Sequence, residues 1–186
     1  MKAVLGSTLG YTAVLFAYGH NVGSPLTNLY TGITVGLLIL FAVLNRWAKW
    51  SVGTLWVASL VGLGNMLGGV LLIDGQPLYM AEVLGPLMYD KVFHALAGFG
   101  MTFIAWEAAM RWAGEGFHRG GMLLLTWLVV MGGGAVVEIA ELIGSRMSGV
   151  GVGDYLNNAL DLVANAVGAG VGILVVGMRS RPQIRR

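Results

Sequence analysis

Long apolar stretches are the feature of this sequence that most restricts its fold. A helix needs about 20 mainly apolar residues to cross a hydrocarbon core of roughly 30 Å. Because backbone polar groups cannot stay unpaired in lipid, such stretches predict transmembrane α-helices. We therefore expect an all-α, polytopic transmembrane helix bundle. There are six candidate stretches, at residues 3–18, 29–47, 52–73, 91–113, 121–143 and 155–178, and the first, with 16 residues, is the shortest.

The composition excludes several other classes of protein. Hydrophobic residues make up 56% of the chain and charged residues 11%, whereas soluble domains are about 25% charged. The formal net charge is only +2, which argues against nucleic acid as a partner. The chain has no cysteine, so thiolate chemistry and Cys-ligated metals are excluded. Its 30 glycines favour close helix packing, and glycine-rich helix faces are candidate contacts for an oligomer.

The basic residues orient the predicted spans. With the N-terminus inside, nine of the eleven Lys and Arg residues lie on the cytoplasmic side, and only Lys91 and Arg146 lie outside. The positive-inside rule therefore predicts cytoplasmic N- and C-termini in the plasma (inner) membrane. We expect a single transmembrane domain over residues 1–186. It comprises spans within 1–73 and 91–178, an outer interfacial segment at 74–90 that forms a short helix or a re-entrant turn, and a basic cytoplasmic tail at 179–186.

Ionisable side chains concentrate in the last three spans. The interiors of the first three contain none, and Asn65 there is expected to hydrogen-bond a neighbouring helix. An ionised side chain at mid-bilayer costs at least about 2.5–3.5 kcal/mol, so buried carboxylates must face one another, a cation or water. By the predicted topology the polar groups share one layer at the extracytoplasmic helix ends. They are Asp90, Lys91 and His94 in the fourth span, Glu138 and Glu141 in the fifth, and Asp154, Asn157, Asn158, Asp161 and Asn165 at the start of the sixth.

Helical spacing places these groups on shared faces. Residues three or four apart lie on one side of an α-helix, so Asp90 pairs with His94, and Glu138 pairs with Glu141. In the sixth span the polar positions step by four, three and four residues, which makes one stripe about 16 Å long. The stripe consists of Asp154, Asn158, Asp161 and Asn165.

Three kinds of chemistry fit a cluster of carboxylates and one imidazole. It could bind a divalent cation, Mg²⁺, Mn²⁺ or Zn²⁺, and present it to a phosphate. It could instead take up and release protons and couple their movement to transport. In the third, His94 with a carboxylate acts as general acid and base on a lipid-linked substrate. The structural alternative is that these groups only hold helices together.

Each candidate residue has an expected role in these chemistries. Lys91 and Arg146, the only outer cations, are expected to contact phosphate oxygens or anionic headgroups. The amides of Asn157, Asn158 and Asn165 are further candidates for substrate binding. The candidate catalytic groups are His94, Glu138, Glu141 and Asp161, and the candidate metal ligands are Asp90, His94, Glu138, Glu141, Asp154 and Asp161.

The same motifs carry a family resemblance over roughly residues 89–172. A span that begins D-K-x-x-H, a span that ends in acidic residues, a short loop with an Arg, and a last span D-x-x-x-N-x-x-D-x-x-x-N-x-x-G resemble the VanZ-like and YjdF-like membrane proteins. VanZ-like proteins are associated with reduced sensitivity to teicoplanin-type glycopeptides, so the resemblance implies a site that faces the cell envelope. The matching residues are Asp90, Lys91, His94, Glu138, Glu141, Arg146, Asp154, Asn158, Asp161, Asn165 and Gly168.

Topology, polar layer and resemblance lead to one main functional hypothesis. We expect the protein to bind or modify a membrane lipid or lipid-linked phosphate through an outward-facing pocket, with a divalent cation as cofactor. The alternative is a small proton- or cation-coupled membrane transporter that uses the same carboxylates. Both binding and catalysis are compatible with the sequence.

Overall fold

The computed structural model describes residues 1–113, 118–148 and 155–179, and the side chains of these residues except 144–148. The chain divides into two compact units, Met1–Phe93 and His94–Arg186. The fourth helix begins in the first unit and continues into the second. In the described part of the chain there are six α-helices: α1 (Lys2–Val22), α2 (Thr27–Ala48), α3 (Val52–Val70), α4 (Tyr89–Trp112), α5 (Arg119–Ser148) and α6 (Tyr155–Arg179).

Five of these six described helices are long and apolar enough to cross a membrane, and α1 is not among them. α1 has sufficient length, at 21 residues, but hydroxyl side chains and glycines dilute its apolar residues. The expected all-α polytopic architecture is confirmed, and the chain is an integral, multi-pass membrane protein. The predicted first span is a helix, but it contains no stretch apolar enough to count among the five membrane-spanning candidates.

Apolar and polar side chains are distributed as in a membrane protein. Large apolar residues such as Leu124, Val136 and Leu174 are exposed, and their surfaces suit contact with lipid. Polar residues such as Thr102, Thr126 and Asp161 are buried instead. Because a polar group in hydrocarbon must find a protein partner, this inverted arrangement fits helices surrounded by lipid.

In the first unit, α1 and α2 form an antiparallel hairpin. The four-residue connection begins with Gly23, which has a φ of 70°, a left-handed conformation that glycine adopts without strain. Near this end Gly19 of α1 packs directly against the side chain of Thr27 of α2, and a Cβ at position 19 would overlap that side chain. The two helices therefore approach closely beside the connection.

The interior of the first unit centres on an aromatic side chain from the segment after α3. The ring of Tyr79 packs over Gly68, where a Cβ would lie 2.5 Å from the ring. The Tyr79 hydroxyl donates a 2.7 Å hydrogen bond to Oδ1 of Asn65. Asn65 thus binds this segment, so the expected bond to a neighbouring helix is wrong. The buried cluster consists of Leu15, Leu26, Tyr30, Met66, Val70 and Tyr79.

The connection between α3 and α4 contains two short hairpins and a single 3-10 turn. The turns lie at Asp74–Gly75, with φ values of 51° and 79°, and at Gly85, with φ 59°. Left-handed backbone of this kind favours tight reversal of the chain. The expected interfacial helix is therefore replaced by β1 (Leu72–Ile73) paired with β2 (Gln76–Pro77), a 3-10 helix at Leu78–Met80, and β3 (Glu82–Leu84) paired with β4 (Leu87–Met88).

In the second unit, glycines let α6 approach α4 at backbone distance. A Cβ at Gly168 would overlap the carbonyl of Ala95, and a Cβ at Gly98 would lie 2.5 Å from the carbonyl oxygen of Asn165. Small residues allow such contact between membrane helices. α5 also packs along α6. The polar side chains of all three helices are thereby brought within reach of one another.

Candidate functional site

His94 is the centre of the polar cluster in the second unit. It lies in the second turn of α4 and is 5% exposed. Its Nδ1 is 3.4 Å from Oε1 of Glu138 on α5, and its Nε2 is 3.9 Å from Oδ1 of Asp161 on α6. The imidazole therefore has a buried carboxylate near each of its two nitrogens.

The polar stripe of α6 supplies hydrogen bonds to this cluster. The side-chain amide of Asn157 donates to Oδ2 of Asp161 at 2.7 Å, one helical turn away. The Asn165 amide nitrogen is 3.2 Å from Nδ1 of His94. Asn158 donates to the backbone carbonyl of Glu138 at 3.2 Å. These amides hold the carboxylate, the imidazole and the α5 backbone in fixed relation.

Glu141 adds a second carboxylate from α5. It lies three residues after Glu138, and one ligand atom from each of His94, Glu138 and Glu141 lies within 4.8 Å of the others. His94 and Glu138 are buried and Glu141 is partly buried. These residues offer one nitrogen and two carboxylate oxygens. Mn²⁺ and Zn²⁺ are coordinated by such ligands in proteins.

The charge balance of the cluster has a chemical consequence. Glu138, Glu141 and Asp161 would together carry three negative charges if ionised, and one imidazolium offsets only one of them. Buried charge without compensation is costly. The cluster therefore has the means to bind a cation or to hold protons, and His94 can exchange a proton with a carboxylate on either side.

Two predicted residues belong to the first unit. Asp90 and Lys91 lie in the first turn of α4, and Lys91 Nζ is 2.9 Å from Oδ2 of Asp90. Asp90 is buried. In the structure Lys91 thus bonds its neighbouring carboxylate, and its expected role toward phosphate stays a prediction.

Two other predicted residues fall at the end of α5 or beyond it. Arg146 lies within α5, which ends at Ser148, so its expected position in a loop is wrong. The helix continues because nothing in the sequence I-G-S-R-M-S breaks it before the glycines that follow. The side chain of Arg146, and Asp154 altogether, lie outside the described residues.

Two glycines at the site, Gly98 and Gly134, were not predicted from the sequence. Gly98 and Gly134 both adjoin Asn165: a Cβ at Gly134 would lie 2.9 Å from Nδ2 of that asparagine. Their helices can therefore approach the polar stripe of α6. The available signal is that each lies one turn from a predicted polar residue, Gly98 after His94 and Gly134 before Glu138.

Comparison with known proteins identifies the family. Residues 3–182 match the family described as "Predicted membrane protein (DUF2238)". The match covers nearly the whole chain, and the chain belongs to this family. Searches of curated proteins and of solved structures found no match.

Proposed function

We propose that the protein binds a divalent cation at His94, Glu138 and Glu141 and uses it to bind or modify the phosphate of an envelope lipid or lipid-linked substrate. One observation carries the proposal: three ligand atoms from these residues lie within 4.8 Å of one another. Three ligand atoms around one ion at about 2.0–2.2 Å lie about 3.3–3.8 Å apart. Side-chain movements of about 1 Å would therefore bring all three atoms onto one ion.

The chemistry of a divalent cation is the reason why we propose a phosphate as the substrate group. A bound divalent cation polarises a phosphoryl oxygen and offsets the charge of the phosphate. Carboxylates provide the negative charge that retains the cation, and His94 or Asp161 beside it can supply or accept a proton. In this proposal the site opens to the envelope side, as the positive-inside prediction and the VanZ-like and YjdF-like resemblance suggest, and Lys91 and Arg146 contact anionic headgroups.

The test is a thermal-shift series on the purified protein in detergent. EDTA is compared with Mg²⁺, Mn²⁺, Zn²⁺ and Ca²⁺, for the unchanged protein and for Glu138→Gln. A metal at a hundred times its Kd stabilises the folded state by about 2.7 kcal/mol. We expect this shift with at least one metal and its loss in the variant. The matched control is Glu107→Gln, which removes a carboxylate paired with Arg111 on α4 and should keep the shift.

A second measurement separates cation binding from phosphate recognition. Mn²⁺ broadens the ³¹P signal of a phosphate bound near it, so nanodiscs of phosphatidylglycerol and of phosphatidylcholine are titrated with Mn²⁺. Broadening that needs the protein and disappears in Glu138→Gln supports recognition of a lipid phosphate. If the thermal shift is present without this broadening, the cation site stands and the phosphate substrate is rejected. If no metal shifts the unchanged protein, the cation site is rejected.

The position of His94 between two carboxylates favours proton-coupled transport as the second candidate function. Nδ1 faces Glu138 at 3.4 Å and Nε2 faces Asp161 at 3.9 Å, so a proton could pass across the ring. Proteoliposomes with an imposed pH gradient and an internal pH dye test it. Flux that Asp161→Asn abolishes supports transport. Absence of flux removes this candidate, and variants that lose only stability would favour a purely structural cluster.

A further inference from the structure

Hydroxyl side chains fill part of the interior of the first unit, where the middle turns of the helices contain no Asp, Glu, His, Lys or Arg. Thr8 and Thr12 of α1 and Ser59 of α3 are all buried. Thr8 Oγ1 lies 2.8 Å from Oγ of Ser59, and Thr12 Oγ1 donates to the carbonyl of Thr8 at 2.7 Å. The hydroxyls of α1 and α3 therefore satisfy one another and their own backbone.

The hydroxyls of α2 behave differently. Within the described residues, Oγ1 of Thr31 and Oγ1 of Thr34 are buried and make no hydrogen bond. Thr34 as a whole is only 4% exposed. A helical threonine ordinarily bonds the carbonyl one turn earlier when it has no other partner. A buried hydroxyl without a partner is costly, so these two groups point to a ligand that is able to bond them.

Helix geometry places Thr34 opposite Thr12. Gly19 and Thr27 mark the contact between α1 and α2. Thr12 lies seven residues before Gly19, and Thr34 lies seven residues after Thr27. Because the helices are antiparallel, both threonines lie about 10 Å from that contact along the helix axes. Seven residues are nearly two full turns, so both also lie on the contacting faces.

We propose that Thr8, Thr12, Thr31, Thr34 and Ser59, here termed the hydroxyl layer, bind buried water. A buried water needs two to four polar partners, and this layer offers the free donors of α2 and the remaining lone pairs of α1 and α3. A neutral ligand fits better than a metal ion, since no carboxylate lies in the middle turns of α1, α2 or α3 to balance a charge. Because Thr8 and Thr31 lie about 10 Å apart along the helix axes, more than one water is needed to join α2 to the α1 and α3 pair.

This inference is independent of the proposed cation site, which lies in the second unit. It predicts whether Thr34→Val stabilises or destabilises the folded protein. If water bonds Thr34, then Thr34→Val removes a partner and shifts the folding equilibrium about fivefold toward the unfolded state. If the layer is dry, the same variant removes an unpaired hydroxyl and raises stability. Thr34→Ser keeps the hydroxyl and should restore most of the loss.

The experiment combines unfolding in mild detergent with detection of water by NMR. Thr102→Val is the matched control, because Thr102 is buried at 0% exposure and donates to the Gly98 carbonyl of its own helix. Protein with ¹³C-labelled threonine methyls is examined for cross-relaxation with water. We expect signals at Thr12 and Thr34 and none at Thr102. Increased stability of Thr34→Val, or no water signal at Thr34, would overturn the proposal.

Discussion

His94 and Asp161 lie on different helices of the second unit, with Nε2 of the imidazole 3.9 Å from Oδ1 of the carboxylate. Asp161 is completely buried. The other oxygen of its carboxylate accepts from Asn157 at 2.7 Å. The carboxylate of Asp161 thus accepts a hydrogen bond within α6 and places its negative charge near His94 of α4, so we expect the charge at position 161 to matter for stability.

Asp161→Asn should destabilise the protein by about 1–3 kcal/mol. The amide oxygen can still accept from Asn157, but the variant removes the negative charge that lies 3.9 Å from Nε2 of His94. Unfolding in mild detergent measures the change. Glu107→Gln is the control, because its exposed pair with Arg111 is expected to contribute about 0.3–0.5 kcal/mol. Equal losses in the free energy of unfolding of Asp161→Asn and Glu107→Gln would contradict this explanation.

Gly168→Ala should cost about 1–3 kcal/mol and weaken any metal response. The added methyl group would overlap the carbonyl of Ala95, so α4 and α6 must separate and His94 must move away from Asp161. Gly170 provides a matched control two residues along the same helix, because a Cβ there meets nothing within 4 Å. Gly170→Ala should be neutral or more stable by up to about 1 kcal/mol. If Gly170→Ala lost as much stability as Gly168→Ala, the close approach of α4 and α6 at Gly168 would be disproved.

His94→Ala should change the metal preference of the proposed cation site. Removing the imidazole leaves the carboxylates of Glu138 and Glu141, and oxygen ligands favour Mg²⁺ and Ca²⁺ over Zn²⁺. Thermal shifts with each metal, before and after the substitution, measure the preference. The expected result is loss of the Zn²⁺ response with a smaller effect on Mg²⁺. An unchanged Zn²⁺ response would show that His94 is not a ligand.

Tyr79→Phe should destabilise the first unit by about 0.5–1.5 kcal/mol. The ring can still pack over Gly68, but the bond from the hydroxyl to Asn65 is lost. Tyr155→Phe serves as control, since Tyr155 is 86% exposed and should tolerate the change. Limited proteolysis of the segment between α3 and α4 gives an independent readout, and faster cleavage is expected only for the position 79 variant.

Sequence spacing predicted much of the polar cluster but little of what holds it together. Asp161 and Asn165 could be placed on one face of the sixth span from the sequence, because two polar residues four positions apart stand out in an otherwise apolar helix. Gly98 lies one turn after His94, but in a chain with 30 glycines this spacing alone did not single it out, because close approach depends on a partner helix that sequence does not show. Thr34 carried no signal either, since threonine is compatible with a lipid-facing position.

The hairpins between α3 and α4 also could not be predicted from the sequence alone. The segment mixes apolar residues with Gly75 and Gly85, and its helical or extended character depended on whether those glycines adopt left-handed backbone. They do, with φ values of 79° and 59°, and the chain reverses at both places. Tyr79 then anchors the segment through a contact that local sequence does not encode.

The exposed turn at Asp74–Gly75 also gives experimental access to the fold. The turn pairs two residues on each side, Leu72–Ile73 with Gln76–Pro77. One more main-chain bond, from Leu78 N–H to the Leu71 carbonyl, closes the hairpin within eight residues of chain. Exposed loop tips of this kind are where insertions are best tolerated. An epitope inserted between positions 74 and 75 should leave both units folded. Antibody binding to intact cells would then report directly which face of the membrane this hairpin occupies.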